Sequence, residues 1–188
     1  MDPIHLNIPT RFETERLIIS IYEDGDGDAF YQLIQSNYDH LQEELSEVHT
    51  IKSNDDAETY VRQKKEAWIS RKRLVPKIVE KASGRMMGQL WIEPRWERMI
   101  FEIGYFIGED SQGVGYITEA ARKMINFLFR ELDANRLEIH TKATNEKSIG
   151  VAEGCGFTKE AHLRERGRTN EGEFVDMLIY GLLRREYE

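Results

Sequence analysis

The run Ser111-Gln112-Gly113-Val114-Gly115 has the composition of a main-chain anion site. It lies between a segment that reads as a strand and the strongest helical segment of the chain. The first main-chain N–H groups of a helix lack internal partners and sit at the positive end of its dipole. Glycines let the backbone turn tightly and approach a ligand without a Cβ clash. Together these features make a pyrophosphate cradle that needs no lysine. Two rival phosphate motifs can be tested against the letters. The nucleoside-triphosphate loop Gly-x-x-x-x-Gly-Lys-Ser/Thr does not occur. The dinucleotide fingerprint Gly-x-Gly-x-x-Gly fits at Gly113 and Gly115, but its third position is Thr118. A lone Gly-x-Gly is most often a plain strand-to-helix turn, so its company decides.

Other residues with chemical potential are scattered. Cys155 is the one cysteine, so no internal disulfide can form. No histidine neighbours it to lower its pKa, which makes it a packing residue. The five histidines show no zinc spacing, and no metal is expected. Asn145 and Ser148 are both preferred helix caps and stand near the start of a short helical segment. Trp68, Trp91 and Trp96 suit either a substrate mouth or an aromatic core.

The elements that must position these residues follow from periodicity. Glu15 to Ile21 reads as a strand and Ala29 to Leu45 as one helix. Ser53 and Asp56 look like a capping start for a helix reaching Ser70. Strands are expected over Leu74–Val79, Met86–Ile92 and Met99–Ile107, the second broken by Pro94. The helix Tyr116–Leu132 carries Ala120, Ala121, Met124, Ile125, Leu128 and Phe129 on one face. A strand Arg136–Lys142, a short helix Glu146–Glu153, a strand region from Phe157 and a last strand Val175–Leu182 complete the pattern. The fold class is α/β or α+β around one mixed sheet, and 188 residues suit a single domain over 1–188.

Hydrophobic residues make up 40% and charged residues 32%, ordinary for a soluble globular protein. No apolar run approaches the roughly 20 residues that span a bilayer. The N-terminus lacks the basic and apolar regions of a signal peptide, so a cytoplasmic protein is expected. The net charge of −8 is uneven: residues 1–60 hold 14 acidic and 3 basic side chains, residues 61–188 hold 20 and 23. That distribution argues against broad nucleic-acid binding, which needs a concentrated basic face. It also favours a cationic ligand at the N-terminal third.

The ordered set of motifs resembles the GNAT N-acetyltransferase superfamily, and within it the RimJ/RimL-type branch that acetylates ribosomal-protein N-termini. The family's acetyl-CoA motif, Gln/Arg-x-x-Gly-x-Gly/Ala, reads here Gln112-Gly113-Val114-Gly115-Tyr116-Ile117, with Ile117 in the last position. Glu102 to Ile107 resembles the strand before the loop, and Gly115 to Ala120 the helix start. Asn145 to Ser148, Gly156-Phe157, Asp176 to Tyr180 and Leu182-Leu183 resemble the C-terminal third. The resemblance implies a sheet splayed at two parallel strands, with acetyl-CoA between them. It implies that the pantetheine pairs with the main chain of Phe106 and Ile107. The pyrophosphate would take the N–H groups from Gly113 through Val114, Gly115, Tyr116 and Ile117 to Thr118, beside Gln112. Asn145 and Ser148 would position the cofactor.

Acetyl transfer from a thioester needs a neutral amine, a donor for the developing oxyanion, and a proton or hydrogen bond for the departing thiolate. Many superfamily members supply a tyrosine acid; the corresponding position here is Ala152, which leaves Ser148 as the candidate. Glu102 is the candidate base, with Glu165, His140 or a water relay as alternatives. The glutamate that some ribosomal-type relatives carry is replaced by Gly167. The expected acceptor is a primary amine, either a protein N-terminal α-amine, ribosomal or other, or a small cationic amine. A monomer or homodimer is expected. Two other readings stay open: an acyl-CoA-binding sensor without catalysis, and a nucleotide-binding domain.

Overall fold

Alternating apolar residues make strands wherever one face must be buried, and the described residues supply eight. In the computed structural model they are β1 (Arg11–Glu13), β2 (Leu17–Ile21), β3 (Pro76–Glu80), β4 (Met86–Arg95), β5 (Ile100–Ile107), β6 (Arg136–Lys142), β7 (Thr158–Arg168) and β8 (Phe174–Leu183). The helices are α1 (Gly27–Ser36), α2 (Tyr38–Leu41), α3 (Asn54–Ile69), α4 (Tyr116–Arg130), α5 (Glu146–Gly154) and α6 (Arg184–Tyr187). The structure describes residues 2–42, 45–169 and 171–187. The strands form one mixed sheet in the order β1-β2-β3-β4-β5-β6-β8-β7. β5 and β6 run parallel, with pairing over Ile100–Glu102 against Arg136–Glu138. β5 itself continues to Ile107.

The chain divides into two compact units, Met1–Ile92 with Tyr105–Ala120, and Glu93–Gly104 with Ala121–Glu188. In the first, α1 to α3 cover β2, β3 and β4 around a buried cluster of Tyr22, Phe30, Tyr60, Val61 and Phe106. Phe30 stacks on Tyr60 with ring centroids 4.6 Å apart. In the second, β8 is paired with β6 on one side and β7 on the other, both antiparallel. The apolar stripe of α4 behaves as its spacing predicts: Ala120, Ala121, Met124, Ile125, Leu128 and Phe129 are all buried.

Two expectations are corrected, and one strand appears that was not predicted. The single helix over Ala29–Leu45 is interrupted at Asn37, whose φ of −128° leaves the helical region. Its side chain donates to the Leu33 carbonyl and accepts the N–H of Glu109, so a tertiary contact fixes the break. Glu43 and Glu44, within that expected helix, lie outside the described residues. Pro94 does not end β4, which runs to Arg95; so close to a strand end its fixed φ suits extended chain and little ladder bonding is lost. The strand β1, too short for periodicity to reveal, pairs with β2 through Phe12 and Ile19.

Candidate active site

The glycine turn takes the form its residues permit. A short 3-10 turn, Glu109–Ser111, leads into extended Gln112, and α4 then begins at Tyr116. Gly113 and Gly115 have φ of +75° and +84°, a region that L side chains rarely adopt. A Cβ on Gly113 would meet nothing within 4 Å, and one on Gly115 only Arg16 Nη2 at 3.7 Å. The glycines therefore answer to backbone geometry and leave open space over the turn, as a main-chain cradle requires. The Glu119 N–H donates to the Gly115 carbonyl at 3.0 Å, which places the turn at the N-terminal end of α4.

This turn is clamped by residues that sequence reasoning missed. Arg16, at the entry to β2, donates from Nε to Glu119 at 2.6 Å and from Nη1 to the Val114 carbonyl at 3.0 Å. Its guanidinium also lies over the Tyr116 ring at 4.4 Å. Glu119 further accepts the Thr14 hydroxyl and the Arg16 main-chain N–H. Burial pushes the Glu119 carboxyl up, but these donors outweigh it and hold the group below its ordinary range. Tyr116 donates to Glu80 at 2.6 Å. Arg85 pairs with Asp110 and donates to Ser111, and the Gln112 amide meets His40 Nε2. No local signal marks Arg16, because its partners lie about a hundred residues away.

Phe106 and Ile107 end β5. Gly88 of β4 packs against the Phe106 carbonyl, and a Cβ there would stand 2.9 Å from Ile107 Cα. The Gly108 N–H donates to the Met87 carbonyl at 2.8 Å. Because strand groups alternate, the Phe106 and Gly108 main chain faces β4, and that of Ile107 faces the other edge. Phe106 fills the core with 5% exposure. Ile117, where the family motif has a small residue, is also buried, so its side chain turns inward and leaves the turn open. Val114 is exposed, and Thr118 follows in the first turn of α4.

Glu102, Asn145 and Ser148 all belong to the second unit. Glu102 is not a lone strand glutamate. Its carboxylate is 3.4 Å from His140 Nδ1 and 3.7 Å from Arg95. Glu138, its register partner on β6, is 3.2 Å from His140 Nε2 and ion-paired with Arg136 at 2.7 Å. Burial raises the Glu138 carboxyl, but Arg136 overrides it and keeps the group ionised below the usual range. Arg136 also pairs with Glu160. Asn145 caps α5, accepting the Ser148 N–H at 3.0 Å. Ala152 is buried within α5. Burial raises the Cys155 thiol, which keeps it protonated and fits a packing role. Glu165 lies at a bulge of β7 with φ +52°, its N–H held by Asp176. Gly167 faces Met177 and Val175. Trp68 is core, Trp96 packs edge-on against Phe101, and Trp91 lines a cavity. Among the described residues no His, Cys, Asp or Glu cluster suits a metal, and no helix is long and apolar enough to cross a membrane.

Comparison with known proteins brings these features into one frame. A family model described as an acetyltransferase (GNAT) domain matches residues 16–158. A putative ribosomal N-acetyltransferase, YdaF of Bacillus subtilis strain 168, is 44% identical over 87 residues, covering 46% of this chain and 47% of that protein. The chain spans about half the length of the curated relatives it matches. A crystal structure of a probable acetyltransferase superposes with a TM-score of 0.86 at 28% identity, covering 94% of this chain and 98% of that one. The structure of RimL, a ribosomal L7/L12 α-N-protein acetyltransferase in complex with coenzyme A, gives 0.84 at 21%, over 94% and 97% of the chains. This last likeness is one of fold.

Proposed function

The chain belongs to the GNAT acetyltransferase family, and on that premise we propose that it moves an acetyl group from acetyl-CoA to a primary amine by direct attack in a ternary complex. The observation that carries the proposal is the turn Gln112–Gly115: two left-handed glycines, open space above them, and the start of α4 behind. These residues fit a diphosphate. Main-chain N–H groups from Gly113 to Thr118 would hold it, and the clamp of Arg16 and Glu119 would keep them aimed. The outward main chain of Ile107 would pair with the pantetheine amides as an added strand, with Phe106 fixing the strand in the core. The thioester supplies an activated acetyl group; the chain supplies its placement, and proximity alone can contribute several of the roughly 7–11 kcal/mol available to oriented reactants.

Ser148 is proposed to hydrogen-bond the departing thiolate, with Asn145 fixing the helix start that presents it. Glu102, flanked by His140, is proposed as the group that accepts the amine's proton. The acceptor is read as an α-amine of a protein N-terminus, with a small cationic amine as the other candidate. The reference pKa of an α-amine, about 7.7–8.0, leaves a useful neutral fraction at pH 7. The family model runs through both compact units, which supports reading them as one catalytic domain, and that domain is read as cytoplasmic.

A thiol-release assay with a panel of amines and N-terminal peptides tests the reading. Ser148→Ala and Glu102→Ala should each lower kcat by about 10²-fold or more, the usual share of a positioned acid or base. If neither slows turnover, the acid–base assignment is wrong. Binding of acetyl-CoA without thiol release to any amine would instead make the chain an acyl-CoA sensor.

A further inference from the structure

On β6, Arg136, Glu138, His140 and Lys142 share one face of the strand by alternation. The parallel ladder to β5 ends at Glu102 opposite Glu138. His140 is the next side chain on that face past the last ladder step, and β8 sets Ile179 beside it as register partner. Two carboxylates opposite one another on neighbouring strands repel and need cations nearby. The second unit supplies them: Arg136 holds Glu138 at 2.7 Å, and Arg95 reaches Glu138 at 3.4 Å and Glu102 at 3.7 Å. Arg136 also binds Glu160 of β7.

His140 stands between the two carboxylates, and its ring nitrogens are not equivalent. Nε2 hydrogen-bonds Glu138 at 3.2 Å, whereas Nδ1 is 3.4 Å from Glu102 in an ion-pair contact. Glu138 is the fixed acceptor, with a side chain 12% exposed. Burial pushes its carboxyl up, yet Arg136 keeps it ionised below the usual range. An ionised carboxylate takes the Nε2 proton and so fixes the tautomer of the neutral ring. Nδ1 is left with its lone pair toward Glu102. That arrangement has a place for one added proton, which either partner can hold. Glu102 has the looser contacts and a side chain 27% exposed, so it can meet an incoming group that Glu138 cannot.

We propose that Glu138, His140 and Glu102 form a proton relay: Glu102 takes the proton of the attacking amine and passes it to His140 Nδ1, with Glu138 as the positioning residue that keeps Nε2 protonated. The proposal rests on the acetyltransferase reading and extends its base from one carboxylate to three residues. The amine nitrogen forms its bond to the acetyl carbon, and its N–H proton goes to Glu102 and on to Nδ1. The electron pair of the breaking C–S bond leaves on the thiolate. The imidazolium, half-buried, gives its proton to solvent, and the thiolate regains one there. While charged, the ring directs one N–H at each carboxylate, so its charge is met on both sides. Handing the proton on returns Glu102 to its ionised state before the next amine arrives.

The test joins a spectroscopic readout on the free protein to kinetics. Nitrogen-15 NMR of histidine-labelled protein, with the His140 signals identified by their loss in His140→Gln, should show the neutral ring protonated at Nε2. A neutral ring protonated at Nδ1 overturns the proposal. In thiol-release assays His140→Gln should lower kcat by about 10²-fold, the usual share of a positioned proton acceptor. KM for acetyl-CoA should stay within about twofold, as for a group that acts only in the transition state. His140→Lys keeps a cation between the carboxylates and separates the relay from charge balance alone. It should preserve the melting midpoint but not the turnover, since an ammonium at neutral pH has no lone pair to receive a proton. Glu138→Gln should lower kcat about tenfold and let the other tautomer appear. Circular dichroism controls for folding. Wild-type kcat in any of the three variants overturns the proposal. The two readings fail separately: absence of thiol release from the wild-type protein removes the enzyme, whereas release that His140→Gln leaves unchanged removes only the relay.

Discussion

Arg16 ties together three parts of the cradle through three different interactions: an ion pair to Glu119, a hydrogen bond to the Val114 carbonyl and a stacking contact on Tyr116. Its planar guanidinium can serve all three at once, which an ammonium cannot. The residue acts through the turn, so its loss should loosen the ligand more than it slows the chemistry. Arg16→Ala is expected to raise KM for acetyl-CoA about tenfold, the value of roughly 1.4 kcal/mol of lost pre-organisation, with a much smaller effect on kcat. Steady-state kinetics and acetyl-CoA calorimetry would check this; a kcat loss at constant KM would give Arg16 a different role. The glycines of the turn were legible in the sequence because φ is a property of the single residue. The clamp was not, since Arg16 and Glu119 are 103 positions apart.

At the scale of elements, the sequence predicted α4, β6 and α5 almost to their ends; α4 buries one continuous apolar stripe, whereas α5 buries only Ala152. The Ser53 cap was equally local: its hydroxyl accepts the Asp56 N–H and starts the helix that carries Tyr60 and Lys64. The break at Asn37 was not legible, because the contact that fixes it comes from Glu109. Gly88 is a similar case. Only the packed sheet reveals that a side chain on β4 would press on the Ile107 backbone. Gly88→Ala should therefore move β4 from β5 and destabilise the fold by about 1–3 kcal/mol, the range for overpacking. Denaturant midpoints with an unchanged slope would measure it. Acetyl-CoA affinity should fall as well, because the same strand end presents Ile107.

For the whole molecule, each unit contains a half-buried carboxylate held below its ordinary pKa, Glu119 in one and Glu138 in the other. A depressed folded-state pKa means stability that is present above the unfolded value, about 4.3 for Glu, and is lost as pH falls through the folded value. The melting midpoint should therefore hold steady from pH 7 to about pH 5 and decline below about pH 4. Glu119→Gln and Glu138→Gln should flatten that decline while lowering the midpoint at neutral pH. A decline already complete by pH 5 would show that other groups control acid stability.

The sequence by itself determined what single residues and short windows control: the glycines of the turn, the cap of α3, the apolar stripe of α4, strand alternation, and the order of motifs that resembles an acetyltransferase. Only the tertiary structure decided which charges share a cavity. Residues 1–60 carry 14 acidic side chains against 3 basic, and that balance pointed to a cationic acceptor. Lys64, Arg73 and Glu47 line one cavity although they come from separate segments of the chain. Surface charge is spread widely and screened within about 8–10 Å. A pocket answers to the few groups that the fold brings within hydrogen-bonding reach.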